Sequence, residues 1–240
     1  MRLTSTTTVV ISLLALALVA GGLGSARVGA QPKAGSNVVK TLALRQHVDA
    51  TSPEAAVWKR AAVTRVALQP AFPGHPSIVG TPSTVGVAVQ ALRTPESLYV
   101  RLEWRDATVD TTVTGPGRFV DAAAVQFPAN GLASTTPFMG DPANRVNIWS
   151  WRADGRPQAL LAAGFGTLTP AAVQNVRALG MRAAESWQVV LTRRLAISTD
   201  DDVKLVGLRE IPVAFAIWNG SNRERDGFKA VTLAWWTLRF

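Results

Sequence analysis

The sequence contains no cysteine, only two histidines (His47 and His75), one tyrosine and three methionines in 240 residues. Without cysteine there is no disulfide framework, no thiolate zinc site, no cysteine-ligated iron–sulfur cluster and no CxxCH attachment of haem. A thiol nucleophile and a lipidated cysteine are excluded on the same ground. Two histidines leave little room for a His-rich metal centre. Hydrolase signatures are missing too: there is no G-x-S-x-G elbow, no HExxH and no histidine in a motif with a nucleophile. The Asp200–Asp202 run reads as a solvated polar turn, with a calcium site as the weaker alternative. Acidic residues are outnumbered, 16 against 25 Lys and Arg, for a net charge of +9.

Long apolar runs are confined to the N-terminus. Arg2 is followed by 24 uncharged residues, Leu3 to Ala26, centred on VVISLLALALVA. Val28-Gly29-Ala30 supplies the small residues that a signal peptidase reads, so residues 1–30 are predicted to be a signal peptide and Gln31 the mature start. An uncleaved anchor is the rival reading, since the run is long enough to span a bilayer. The rest of the chain is therefore expected outside the cytoplasm, in the periplasm, with no membrane span after cleavage. Loss of Arg2 and Arg27 lowers the charge from +9 to +7. Between Arg145 and Arg194 seven arginines face two acids, Asp154 and Glu185. An exported chain without a nucleic-acid motif has no use for nucleic acid there; the surplus reads as a solvated face or as a docking face for acidic groups.

Period-two patterning dominates the remainder, and the 48% hydrophobic content of the whole chain is enough for one core. Val85, Val87 and Val89, then Leu98, Val100, Leu102 and Trp104, alternate with polar or small residues, and Thr94-Pro95-Glu96-Ser97 turns between them: a hairpin. Further strands are expected around Val146–Ile148, Trp187–Leu191, Ile211–Ile217 and Val231–Trp235. One short helix is expected over Pro170–Leu179, capped by Thr169 and stopped by Gly180. The expectation is an all-β fold, an antiparallel β-sandwich with long loops and at most one or two short helices, over residues 46–240, preceded by a loose arm at 31–45.

Two Gly- and Pro-rich connections are the natural places to mount a site. One holds PFMGDPANRVNIWSW (Pro137–Trp151), the other IPVAFAIWNGSNRERDGFKAV (Ile211–Val231). Together with DATSPEAAVW (Asp49–Trp58) and DAAAVQFP (Asp121–Pro128), these segments resemble the haem b-binding gamma subunit of ethylbenzene dehydrogenase and its relatives, small subunits of exported molybdenum enzymes of the dimethyl sulfoxide reductase class. The resemblance runs from about Asp49 to the C-terminus; at Ala184-Glu185-Ser186-Trp187 the sequence departs from the acidic-glycine turn expected there.

The resemblance implies one non-covalent haem b per chain, with Met139 and Lys229 as axial iron ligands. It also implies an electron-transfer subunit, not itself an enzyme, between an iron–sulfur subunit and a soluble cytochrome or similar carrier, with a molybdenum catalytic subunit beyond. Taken singly, a loop methionine is ordinarily packing and a lysine ordinarily solvated, which is how Met181, Lys33, Lys40, Lys59 and Lys204 read. Phe138, Ile148, Trp218 and Phe228 flank the two ligand positions and are candidates to cover the porphyrin, or are sandwich core. Arg145, Arg223 and Arg225 are candidates for the propionates. His47 and His75 lie outside both motifs and read as surface residues. The alternative function is an exported carbohydrate-binding module presenting indoles to sugar, although Trp104, Trp187 and Trp235 sit where core residues are expected.

Overall fold

A computed structural model describes residues 37–71, 80–196, 199 and 202–240. His75, Asp200, Asp201 and the whole of 1–30 lie outside the described residues. The strands are β1 (Val38–Ala43), β2 (Thr64–Ala67), β3 (Gln69–Pro70), β4 (Gly86–Arg93), β5 (Ser97–Arg105), β6 (Ala122–Pro128), β7 (Val146–Arg152), β8 (Gln158–Ala162), β9 (Thr169–Pro170), β10 (Arg177–Ala183), β11 (Ser186–Arg194), β12 (Glu210–Trp218), β13 (Ala230–Val231) and β14 (Trp236–Arg239). The one helical turn among the described residues is 3-10, at Ala56–Arg60. No helix there is long and apolar enough to cross a membrane.

Hydrogen bonding runs in the order β10-β11-β5-β4-β1-β14-β12-β6-β7-β8-β9. This path folds over on itself at β1. Val38–Lys40 pair in parallel with Thr237–Arg239 of β14, and Thr41–Ala43 pair in parallel with Ala91–Arg93 of β4. One strand thus belongs to both layers, and the segment expected to be a loose arm is, at 38–43, the hinge of the sandwich, with Val39 fully buried.

Alternation explains the core. Val87, Val89, Val100, Leu102, Trp104, Val189 and Leu191 of one layer meet Val125, Phe127, Trp149, Trp151, Val213, Phe215 and Ile217 of the other. Burying side chains of this size stabilises by roughly 1.5–3 kcal/mol each. Trp151 and Trp187 approach across the layers with ring centroids 4.9 Å apart, and Trp104 packs on both. The predicted hairpin is present as β4–β5, in register from Ala88–Glu103 to Arg93–Leu98.

The predicted helix at Pro170–Leu179 is not formed. Its start is β9 and its end is the edge strand β10, paired along its whole length with β11 from Arg177–Thr192 to Ala183–Ser186. The Ala-rich stretch has local helical propensity, but pairing with β11 satisfies its backbone and lays it over Trp151. A Cβ at Gly180 would lie 2.2 Å from the Trp151 ring, so the residue read as a helix stop is a close-contact glycine. The β10–β11 turn is Ala184-Glu185, with Ala184 at φ +51°, so alanine holds a left-handed position where glycine is favoured.

Candidate functional site

The second layer has two unlike faces. Inward-facing residues of β6, β7 and β12 are mostly large, Ala123 and Asn147 excepted. Outward-facing residues are small: Ala122 and Ala124 on β6, Ala214 and Ala216 on β12, and Ala162 on β8, interrupted by Ile148, Leu160 and Trp218. A solvated sheet face is normally polar. This one is apolar and low, and loops stand around it, so a shallow floor is left for something broad and flat.

Two loops deliver the predicted ligand residues to that floor. Met139 lies between β6 and β7 with φ +66°. A methionine in this region is strained, and the surroundings hold it there: Gly140 donates its N–H to the Thr136 carbonyl, Gly164 donates to the Met139 carbonyl at 2.9 Å, and the Asp141 carboxylate accepts from the backbone of Ala143 and Asn144. At Gly140, φ +72°, a Cβ would lie 2.6 Å from the Asn144 carbonyl oxygen. The second loop joins β12 to β13 and turns through Arg223 and Asp226, both at positive φ. Its centre is Glu224, 1% exposed, whose carboxylate accepts from the N–H of Ser83 and Asn219 and from the Asn222 amide. Asp121, fully buried, accepts from the Gly220 N–H at 2.9 Å, the Trp187 indole at 2.9 Å and the Asp110 N–H at 3.0 Å. Burial raises the Asp121 pKa despite those bonds.

The loops bring Lys229 Nζ to 4.0 Å from Met139 Sδ, across 90 residues of sequence. The amine also lies 4.9 Å from the centre of the Trp218 ring, and the Trp218 indole donates to the Asp226 carbonyl. Burial lowers the Lys229 pKa from 10.5 to about 8, only partly opposed by the charge of Asp226. Lys229 is half-buried as a residue, but its ammonium end is enclosed, and that end sets the titration.

Two cavities meet at the Met139–Lys229 contact. One, about 50 Å³, includes Phe138, Ala214, Ala216 and Phe215; the other, about 610 Å³, includes Val113, Phe119, Trp151, Leu168 and Arg225. Ala124, Met139, Ile148, Phe165, Trp218 and Lys229 line both. The larger volume is that of a cofactor-sized pocket. The two donor atoms, 4.0 Å apart, face each other where the cavities meet. A neutral thioether and an amine close to losing its proton form a donor set suited to a transition metal. The residues present fit a metal carried by a broad apolar group.

Of the predicted pocket residues, Phe138, Ile148 and Trp218 are brought together with Met139 and Lys229. Phe228 is not. It alternates with Lys229, points to the opposite side and lies against Gly80, where it lines a separate cavity of about 500 Å³ with Arg223 and Arg225. Arg145 lines none of the three cavities. Sequence reasoning missed the alanine floor, Phe165 and Arg152. The signal for the floor was available: Ala214 and Ala216 alternate with large residues on β12, and Ala122–Ala124 run together on β6. None of the eight tryptophans is exposed, and five of them are buried, so the indole platform of the carbohydrate-binding alternative is not formed.

Fold and site define an all-β sandwich that carries a cofactor-sized slot on the outer face of one sheet. A family model described as ethylbenzene dehydrogenase matches residues 55–174. The chlorate reductase subunit gamma of Ideonella dechloratans is 49% identical over 95% of this chain and 94% of its own length. A chain of Haloferax mediterranei, provisionally named respiratory nitrate reductase heme subunit ORF7, is 37% identical over 100% of this chain and 84% of its own. The dimethylsulfide dehydrogenase subunit gamma of Rhodovulum sulfidophilum is 37% identical over 76% and 72%. A solved structure of a provisionally assigned carbohydrate-binding protein from Bacteroides uniformis superimposes with a TM-score of 0.51, at 10% identity, over 85% of this chain and 98% of that one, a likeness of fold alone.

The chain belongs to the ethylbenzene dehydrogenase family, as a gamma subunit of that type. Its relatives are named as gamma subunits of multisubunit oxidoreductases, consistent with a non-catalytic role.

Proposed function

We propose that the chain holds one non-covalent haem b between Met139 and Lys229 and serves as the electron-transfer subunit of a periplasmic molybdenum oxidoreductase, between an iron–sulfur subunit and a soluble cytochrome or similar carrier. The observation that carries this reading is the convergence of Met139 Sδ and Lys229 Nζ, 4.0 Å apart, where two cavities meet above an apolar floor. The heme subunit name of the Haloferax relative and the gamma-subunit names of the others support it. The absence of cysteine supports the division of labour, because any iron–sulfur relay must be held by another chain. The apolar segment ahead of Gln31 supports export.

Haem b bound here supplies a one-electron couple. Everything else is done by the chain. Met139 offers a soft, neutral thioether, which favours the reduced metal and so a higher potential. Lys229 ligates only as the neutral amine, and its burial has already lowered the cost of losing the proton. Met139 and Lys229 would hold the group from within the chain, and a metal held by two protein donors would be fitted to electron transfer rather than to binding substrate. Ile148, Trp218 and the alanines exclude water around the ring, which suppresses side reactions and solvent reorganisation.

The test is reconstitution. The purified chain, supplied with haem b, is expected to show a Soret band with a six-coordinate low-spin spectrum. Met139→Ala and Lys229→Ala are each expected to change the spin state and to lower the affinity. A colourless protein after haem supplementation, or spectra indifferent to both substitutions, refutes the assignment.

A further inference from the structure

The larger cavity is not uniform along its length. Its interior is built from the alanine floor, Ile148, Leu160, Phe165 and Trp218, and beside the Glu224 and Asp226 carboxylates its mouth carries two arginines. Both come to the same end of the second layer, and strand register explains why. Arg152 closes β7 opposite Ala122, and Ala122 in turn pairs with Trp218, the last residue of β12. The loop that leaves β12 there carries Arg225. One row across the sheet therefore places Arg152 on one wall of the mouth and Arg225 on the other.

Arg225 is held in position by its loop. It lies between Arg223 and Asp226, both at positive φ, its guanidinium donates to the Arg223 carbonyl at 3.0 Å, and an isolated bridge ties it to Phe228. That bridge fixes it one tight turn ahead of Lys229. Its guanidinium also packs 4.9 Å from the centre of the Phe119 ring. Among the described residues it makes no ion pair with any carboxylate, whereas Arg101, Arg105, Arg152, Arg193 and Arg239 each do. Arg152 is committed to Asp154 at 3.1 Å. A fixed fork of donors at the mouth of an apolar slot, none of them taken by a protein carboxylate, matches a ligand whose one end is apolar and whose other end bears carboxylates.

We propose that Arg225 binds a carboxylate of the group held in the slot, in the reading above a haem propionate, and so fixes which edge of the ring faces solvent; Arg152 assists from the opposite wall. The inference rests on the haem reading. Of the arginines that proximity in sequence offered, it selects Arg225, leaves Arg145 and Arg223 without this role, and adds Arg152.

The experiment compares haem b with its dimethyl ester, which has the same ring and no carboxylates, as ligands of the purified chain and of its Arg225→Leu, Arg225→Lys and Arg152→Leu variants. Affinity is read by Soret titration and folding by thermal unfolding. A charge-assisted hydrogen bond at a partly solvated mouth corresponds to a change of about tenfold in affinity. Arg225→Leu is expected to weaken haem b by that factor and leave the ester unaffected, with Arg225→Lys recovering part of the loss. Arg152→Leu is expected to have a smaller effect, because its guanidinium already has a partner. Equal losses for acid and ester, or no loss for either, overturn the assignment of Arg225 while the haem site stands. Failure of the unaltered chain to bind either ligand removes the haem site itself, and this inference with it.

Discussion

If Lys229 ligates as a neutral amine, haem affinity must depend on pH in a way set by its environment. An ordinary lysine at 10.5 costs about 5 kcal/mol to deprotonate at pH 7, at about 1.4 kcal/mol per pH unit. Burial brings Lys229 to about 8, so about 1.4 kcal/mol remains at pH 7. Each molecule of haem bound below that value must displace a proton. Apparent affinity is then expected to rise about fiftyfold from pH 6 to pH 8 and only about twofold more to pH 9. The same shift governs the protein without haem, with a definite sign. The folded-state value lies below the unfolded one, so between about 8 and 10.5 the unfolded chain binds more protons and stability rises with pH. The gain across that window is about 3 kcal/mol. Haem titration and urea unfolding across pH 6–10.5, each run beside Lys229→Met, measure both effects. The variant should lack both slopes. A pH-independent affinity between 6 and 8, or a slope shared by Lys229→Met, refutes the neutral-amine assignment.

Filling the floor should block the slot. Ala216→Phe places a ring where the smaller cavity begins, at a half-buried position that tolerates bulk, and is expected to abolish haem uptake with the unfolding transition nearly unchanged; uptake equal to that of the unaltered chain would show that the floor is not the binding surface. At the β10–β11 turn, Ala184→Gly should remove the strain of φ +51° and stabilise by about 0.5–1 kcal/mol, net of the entropy that glycine adds to the unfolded chain. That corresponds to a rise of about 1–4 °C in Tm by calorimetry, and an unchanged or lower Tm would mean that the turn is not strained at Ala184.

Those predictions depend on features that were unequally legible in the sequence. Alternation in β4, β5 and β12 was plain, because a strand with one buried face must repeat every two residues. The two loop motifs were legible as well, since Gly, Pro, Asn and Asp mark tight turns by their backbone chemistry. At 170–179 local propensity pointed to a helix, and the partner that overrode it, β11, begins at Ser186 across a turn whose alanine gives no turn signal. At 38–43 six residues belong to two layers, which no local pattern can announce. Phe228 was misplaced because nearness in sequence to Lys229 ignores the alternation that sends adjacent residues to opposite sides. The alanines of the floor carry their signal only as an absence, because a small side chain matters for what it leaves empty.

By itself the sequence determined the chemical inventory: no thiolate ligands, two histidines, and a methionine and a lysine set in two turn-rich loops of an all-β chain. Only the tertiary structure decided that Met139 and Lys229 meet, that their contact lies over a bare sheet face, and that Arg225 and Arg152 flank the opening. The physical reason is that composition and periodicity are local, whereas a site is a set of distances. Those distances are fixed by strand register, by buried carboxylates such as Asp121 and Glu224 that pin the loops, and by the packing of one layer against the other.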